Sequence, residues 1–370
     1  MGVTMNDLIW SDNIYVEENK AWFVSIKANA LFQIDMKEEQ CRCLVSFPDF
    51  RYPDFRRNPR CLKCDDLIYA FPDFGDRIWV YNLRTGEISD IEVENPLNVR
   101  LRIYNFWKEN DVIYAVVRGL NEILEINIDE YRIVNHYKIP YDGEFIYGDC
   151  KKLDKRIFVL IKNRIYEFNI QTKIWEINTI PGISDELTTL AYEEGVFFLT
   201  GLKEIIYIWK KQETIIKDFS INFNESKDEK SIECGGDRFE DPFFISSIES
   251  KDYIWFIPYK ASQILYLDKK TNDINIFEIK EDEEYEKKAK RVLATKYLVL
   301  YSKPNQVIGL YSCKSKMLIE INIESLKWKY KDIQLDMSNF VEIMANNHCI
   351  WRESDTSLYD FLSICKNKKV

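Results

Sequence analysis

The sequence predicts an all-β fold, a closed ring of four-stranded antiparallel blades, and two observations predict it. One is a short unit that recurs along the chain: an apolar pair carrying an aromatic, a polar loop, then a second apolar stretch closing on Asp or Asn. Its first half reads Ala21-Trp22-Phe23, Ile68-Tyr69-Ala70, Ile113-Tyr114-Ala115, Ile157-Phe158-Val159, Val196-Phe197-Phe198, Ile254-Trp255-Phe256, Ile308-Gly309-Leu310 and Ile350-Trp351. The middle residues of these units are separated by 47, 45, 44, 39, 58, 54 and 42 positions. A period in the forties made of strands is the length of one four-stranded blade.

The other observation is the register of the second half. It reads Leu31 to Asp35, Ile78 to Asn82, Ile123 to Asn127, Ile165 to Asn169, Ile206 to Lys210, Ile264 to Asp268, Leu318 to Asn322 and Leu358 to Phe361, with Asp or Asn fifth in six of the eight. Such side chains accept from backbone N–H groups two or three residues on, so they start the bend into a following strand. A fourth strand follows each bend, as in Ile88 to Val93 and Trp328 to Ile333. A first strand precedes each aromatic pair, as in Arg102 to Trp107. Eight blades are expected, with seven as the alternative. The last unit ends early, so Leu8-Ile9-Trp10 is expected to complete it and close the ring without an exposed edge.

These four-stranded units resemble the β-propeller superfamily in its kelch-like and related forms, over nearly the whole chain. The resemblance is architectural. The paired glycines of kelch blades are missing, and Gly235-Gly236 lies in an insertion instead. The Trp-Asp ending of WD40 blades and the Ser-x-Asp-x-Gly-x-Thr-Trp box of sialidase-type propellers are absent. The resemblance therefore implies a fold and transfers no activity.

The 370 residues are 46% hydrophobic and 14% aromatic, enough for a large core, and the evenly spread repeat predicts one domain over 1–370. Residues Met1 to Trp10 carry neither a basic region nor an apolar one of signal-peptide type, and no apolar run reaches the roughly 20 residues that span a bilayer. A cytoplasmic protein that does not engage membranes is expected. Nine cysteines without a disulfide pattern fit a reducing compartment. A formal net charge of −10 argues against general nucleic-acid binding.

Strand order places the 2–3 loops and 4–1 connections at one end of the blades and the short 1–2 and 3–4 turns at the other. Long insertions all belong to the first end, where scaffolded loops carry binding. The insertion from Pro48 to Arg60 sets four arginines beside three aromatics, and its Pro-Asp-Phe triplet recurs as Pro72-Asp73-Phe74 in the adjacent 2–3 loop. Arginine forks and aromatic faces suit carboxylates, phosphates or sugar rings. Arg51, Tyr52, Phe55, Arg56 and Arg57, with Asp73 and Phe74 beside them, form the candidate binding patch. The plainer expectation is that these arginines pair with Asp49, Asp54 and Asp73 and pin the loop. Two further insertions are Asn222 to Pro242, a long polar loop with paired glycines, and Glu281 to Arg291, whose Glu–Lys pairs four apart predict a short solvated helix.

Catalytic motifs are sparse. His136 falls in a fourth strand and His348 at a 1–2 turn, apart from each other. Cys61-Leu62-Lys63-Cys64 is the only CxxC. It lies in a first strand, where alternation sends its thiols to opposite faces, and Cys41 and Cys43 lie in the preceding fourth strand, so buried inert thiols are expected rather than a zinc site. No cofactor is implied. The leading expectation is a non-enzymatic binding platform for a peptide, protein or glycan-like ligand. The alternatives are a carboxylate-based glycosidase or lyase with acids at a channel mouth, and a structural subunit of an assembly.

Overall fold

In a computed structural model, seven antiparallel sheets follow one another along the chain, each built from four consecutive strands. The structure describes residues 11, 13–25, 29–48, 60–73, 75–95, 101–143, 148–183, 186–210, 213–220, 244–258, 263–279, 297–303, 306–312, 317–331, 333–336, 340 and 343. The first sheet holds β1 (Tyr15–Glu17), β2 (Lys20–Ser25), β3 (Ala30–Asp35) and β4 (Gln40–Ser46). The second holds β5 (Arg60–Cys64), β6 (Leu67–Phe71), β7 (Arg77–Asn82) and β8 (Ile88–Glu92). The third holds β9 (Ile103–Glu109), β10 (Val112–Val117), β11 (Glu122–Asn127) and β12 (Arg132–Lys138). The fourth holds β13 (Cys150–Leu153), β14 (Arg156–Ile161), β15 (Arg164–Asn169) and β16 (Trp175–Thr179). The fifth holds β17 (Leu187–Glu193), β18 (Val196–Gly201), β19 (Ile205–Lys210) and β20 (Glu213–Asp218). The sixth holds β21 (Phe244–Glu249), β22 (Tyr253–Pro258), β23 (Gln263–Asp268) and β24 (Ile274–Glu278). The seventh holds β25 (Tyr297–Lys303), β26 (Val307–Ser312), β27 (Met317–Asn322) and β28 (Lys327–Lys331), and β29 (Gln334–Asp336) follows.

This is the architecture of a β-propeller with seven blades, and it corrects the expected eight. The segment that follows the seventh blade joins the first blade. Gln334–Asp336 pairs in parallel with Gln40–Arg42, adding a fifth strand outside β4 of the first blade. Gln334 N–H donates to the Glu39 carbonyl at 2.8 Å, Lys331 pairs with Glu39 at 2.8 Å, and the buried Phe340 ring lies 5.9 Å from that of Phe32. The seventh blade is completed by its own β28, so no described sheet takes an N-terminal strand. Leu8-Ile9-Trp10 and the expected eighth unit around Ile350-Trp351 and Leu358 to Phe361 lie outside the described residues.

The second and third strands of each blade are the core. Strands β14, β18 and β22 are buried along nearly their whole length, because neighbouring sheets cover both of their faces. Fourth strands alternate or lie open, as in β20. The chain divides into two compact units. One comprises residues 1–120, 124–135 and 330–370, and the other 121–123 and 136–329. In the first unit, Cys64, Tyr69 and Val80 of the second blade pack with Ile103, Ile113 and Ala115 of the third. In the second unit, Ala191, Phe198 and Ile206 pack with Ile254, Phe256 and Leu265 in the same way.

The Asp and Asn residues at the strand ends do what their chemistry predicts. Asp35, Asn82, Asn127, Asn169, Asp268 and Asn322 each accept, through a side-chain oxygen, from backbone N–H groups two or three residues on. Four residues after each stands a left-handed residue: Glu39, Gly86, Tyr131, Lys173, Asn272 and Leu326, with φ between 50° and 76°. The blade with Lys210 in that place turns differently, pairing Lys210 with Glu213 directly.

Candidate functional site

The described strand ends bear out the placement of loops. Turns of two or three residues join first to second strands, such as Glu17 to Lys20 and Glu193 to Val196. Six 4–1 connections separate the described strands, at 47–59, 93–102, 139–149, 180–186, 219–243 and 279–296, the fourth of them only seven residues long. At their ends they bond to 2–3 loops. Arg102 and Ile103 N–H donate to the Asp73 and Pro72 carbonyls at 3.1 and 3.2 Å. In the other unit, Leu187 N–H donates to the Lys162 carbonyl at 3.2 Å and Asn163 Nδ2 to the Ile183 carbonyl at 2.8 Å. Gly201 is required at this junction, because a Cβ there would stand 2.6 Å from the Glu186 carbonyl oxygen.

Of the candidate patch, Arg51, Tyr52, Phe55, Arg56, Arg57 and Phe74 lie outside the described residues, as do Asp49 and Asp54. Asp73 is described. It is buried, 2% exposed, with its carboxylate 3.6 Å from Arg102 Nε. Sequence reasoning named the arginines of the 48–60 insertion as its partners. An arginine described beside it comes from the entry to β9, where Arg102 itself holds a left-handed φ of 39°, while Arg51, Arg56 and Arg57 lie outside the described residues. The Asn222 to Pro242 and Glu281 to Arg291 insertions and His348 also fall outside the described residues.

A second polar constellation lies in the other unit, on the first strands of blades four, five and six. A first strand has no sheet neighbour on one edge, so every second residue turns its N–H and C=O away from the ladder and needs another partner. Side chains from adjacent blades supply them. Asp149 accepts from Leu190 N–H at 3.0 Å with one oxygen and from Cys150 N–H at 2.8 Å with the other. Ser247 Oγ donates to the Leu190 carbonyl at 2.7 Å, and Glu249 accepts from Tyr192 N–H at 3.3 Å. Lys151 Nζ donates to the Ser247 carbonyl at 2.8 Å and to the other Glu249 oxygen at 3.3 Å. Thr189 and Thr200 hydroxyls bond nearby at 2.6 Å.

Burial pushes the Asp149 carboxyl up, while Lys151 and the two backbone donors pull it down less strongly. Burial also weakens the Lys151 ammonium, but Glu249 and Asp149 together outweigh it and hold its proton above the usual lysine range. Lys151 is thus a fixed cation. A carboxylate acting as general acid or base needs an oxygen open to substrate. Here each of the four carboxylate oxygens accepts from the chain itself. Sequence reasoning missed this cluster, although charged residues within otherwise apolar first strands were a signal.

Cys61 and Cys64 face opposite ways, as alternation requires. Cys61 packs with Trp22 and Leu31 of the first blade, and Cys64 with Ile103 and Ile113 of the third. Burial pushes their thiols up to about 12 and about 11. Cys41 is raised by burial as well. His136 lies on β12, 3.0 Å from Glu122. Among the described residues, no group of three or more His, Cys, Asp or Glu is arranged to hold a metal ion, and no helix is long and apolar enough to cross a membrane.

Fold and site together define a seven-bladed β-propeller. No protein-family model matches the chain, and no curated protein matches it. Solved structures share the fold. The chain is similar to one titled "Streptogramin B lyase structure", with a TM-score of 0.55 and 14% identity over 83% of this chain and 92% of the other. It is also similar to the computationally designed Ika8 protein, with a TM-score of 0.50 and 9% identity over 87% and 96%. At these identities the likeness is one of fold alone.

Proposed function

We propose that the protein is a non-enzymatic binding platform whose ligand, a peptide, protein or glycan, is met at the end of the blades that carries the 2–3 loops and 4–1 connections. The observation that carries this reading is the contrast between the two ends: turns of two to five residues at one, and spans between described strands such as 47–59, 219–243 and 279–296 at the other. Rigid blades that hold variable loops at one end are a scaffold for recognition. The Asp149–Lys151–Glu249 cluster supports binding over acid–base catalysis, because its acceptors are occupied in holding blade edges together. Arg51, Tyr52, Phe55, Arg56, Arg57, Asp73 and Phe74 are the proposed contacts.

The test is a screen of the full chain against arrayed glycans and a peptide library, followed by titration of any hit against the variant R56A/R57A. Loss of affinity of tenfold or more with an unchanged melting temperature supports the loop as the contact. A hit bound equally by the variant removes the arginine patch. Chemical conversion of a hit by the wild type removes the non-enzymatic reading.

A further inference from the structure

Apart from β4, which carries β29, the fourth strands are sheet edges, and one of them differs from the rest. Blades two, four, five and six expose isoleucines there: Ile88, Ile177, Ile215 with Ile216, and Ile276, from 36% to 56% exposed. Ile177, Ile216 and Ile276 stand at one register, opposite Tyr166, Tyr207 and Leu265. Of the seven fourth strands, only β20, Glu-Thr-Ile-Ile-Lys-Asp, carries an acid and a base within its bounds. Its two isoleucines are adjacent, so one is exposed on each face of the sheet edge.

Its free backbone groups can be assigned. Phe219 N–H donates to the Glu204 carbonyl, and the β19–β20 register continues as Ile206 with Lys217, Ile208 with Ile215 and Lys210 with Glu213. Alternation then turns the N–H and C=O of Glu213, Ile215 and Lys217 toward β19, and those of Thr214, Ile216 and Asp218 outward. An antiparallel copy of β20 centred on Ile215 meets this edge in hydrogen-bonding phase. Thr214 and Ile216 exchange both backbone bonds with Ile216 and Thr214 of the second copy. On one face Ile215 meets its own equivalent, flanked on both sides by Glu213 against Lys217. Such cross-strand opposite charges and apolar pairs are the favourable ones.

We propose that β20 is a self-complementary edge through which a second copy of this chain adds strand to strand, forming a two-fold symmetric dimer. The register satisfies three independent demands at once: backbone phase, apolar contact and charge. The fold already extends one fourth strand this way, since β29 pairs with the outer edge of β4, there in parallel. The contact is isologous, so it closes at two copies and does not propagate.

A single strand pair is a small interface, of the weak class, so association is read over a wide range, from about 5 to about 500 µM. Sedimentation velocity of the full chain is expected to show a monomer converting to a dimer with concentration. Glu213→Lys or Lys217→Glu alone sets like charges opposite each other and weakens association at least tenfold. The double variant E213K/K217E restores the pairing and recovers it. Far-ultraviolet circular dichroism and melting confirm that each variant folds. A wild type that stays monomeric throughout overturns the proposal. So does a dimer that survives both single variants, or one that the double variant fails to recover.

Discussion

Tyr301 lies across Gly309, so closely that a Cβ on the glycine would stand 2.2 Å from the ring. The phenol reaches over to donate to Glu320 at 2.7 Å. In the third blade the equivalent bond runs from Tyr114 to Glu125 at 3.1 Å. Tyr114 is the aromatic in the middle of its second strand, and the seventh blade has Gly309 in that place. The first strand thus supplies the phenol that the second strand lacks.

Gly309→Ala is therefore expected to expel the ring and destabilise the protein by about 2 kcal/mol, the range of an overpacked core. Urea unfolding measures it. In a Tyr301→Ala background the same substitution meets no ring and should cost far less. Equal costs in the two backgrounds would show that ring contact is not the cause.

Lys151→Met removes the cation that sits between Glu249 and the Ser247 carbonyl. A fully buried charge left alone costs about 3–5 kcal/mol, and the side chains of Lys151 and Glu249 are 25% and 33% exposed, so about 2 kcal/mol is expected. Adding Glu249→Gln to that variant should return part of the loss, because the stranded carboxylate is gone. Denaturation midpoints of the two single variants and the double variant decide it.

Asp149 should behave opposite to most carboxylates in acid. Its folded-state carboxyl is held above the ordinary value, chiefly by burial, so the folded protein takes up its proton more readily than the unfolded chain. Its charged form then costs stability, a cost absent below the unfolded value and fully present once pH has risen through the folded one. The stability of wild type relative to Asp149→Asn should accordingly increase as pH falls from 7 toward 4. Paired urea titrations at both values check this, and a wild type that loses stability relative to the variant in acid would assign the carboxylate a net favourable charge.

The blade was legible in the sequence because it is local. Four strands, the Asp or Asn that begins six of the seven 3–4 turns, and the opposite facing of Cys61 and Cys64 all follow from spacings of a few residues. The blade count was less legible. The eighth unit was counted from Ile350-Trp351 and Leu358 to Phe361, while Gln334–Asp336 just after the seventh unit pairs with Gln40–Arg42, far away in sequence. The edge network was not legible either. Lys151 and Glu249 are 98 positions apart and Asp149 and Leu190 are 41, and no periodicity relates them. Asp73 was singled out from a repeated Pro-Asp-Phe triplet, yet its neighbour Arg102 comes from another blade.

The turns offer the cleanest stability prediction. Six 3–4 turns demand a left-handed residue four positions after their Asp or Asn, and glycine fills only one, Gly86 at φ 76°. Leu326 holds the same conformation at φ 52°, where an L side chain crowds the following carbonyl and costs roughly 1 kcal/mol. Leu326→Gly should raise stability by somewhat less than that, since glycine also gains freedom in the unfolded chain. The reverse change, Gly86→Ala, has room for its Cβ, whose nearest neighbour is the Tyr81 hydroxyl at 3.9 Å. Its cost is then conformational alone, about 1 kcal/mol. Opposite shifts in the two melting temperatures are expected, and shifts of the same sign would mean that side-chain packing at 326, not backbone conformation, governs the turn.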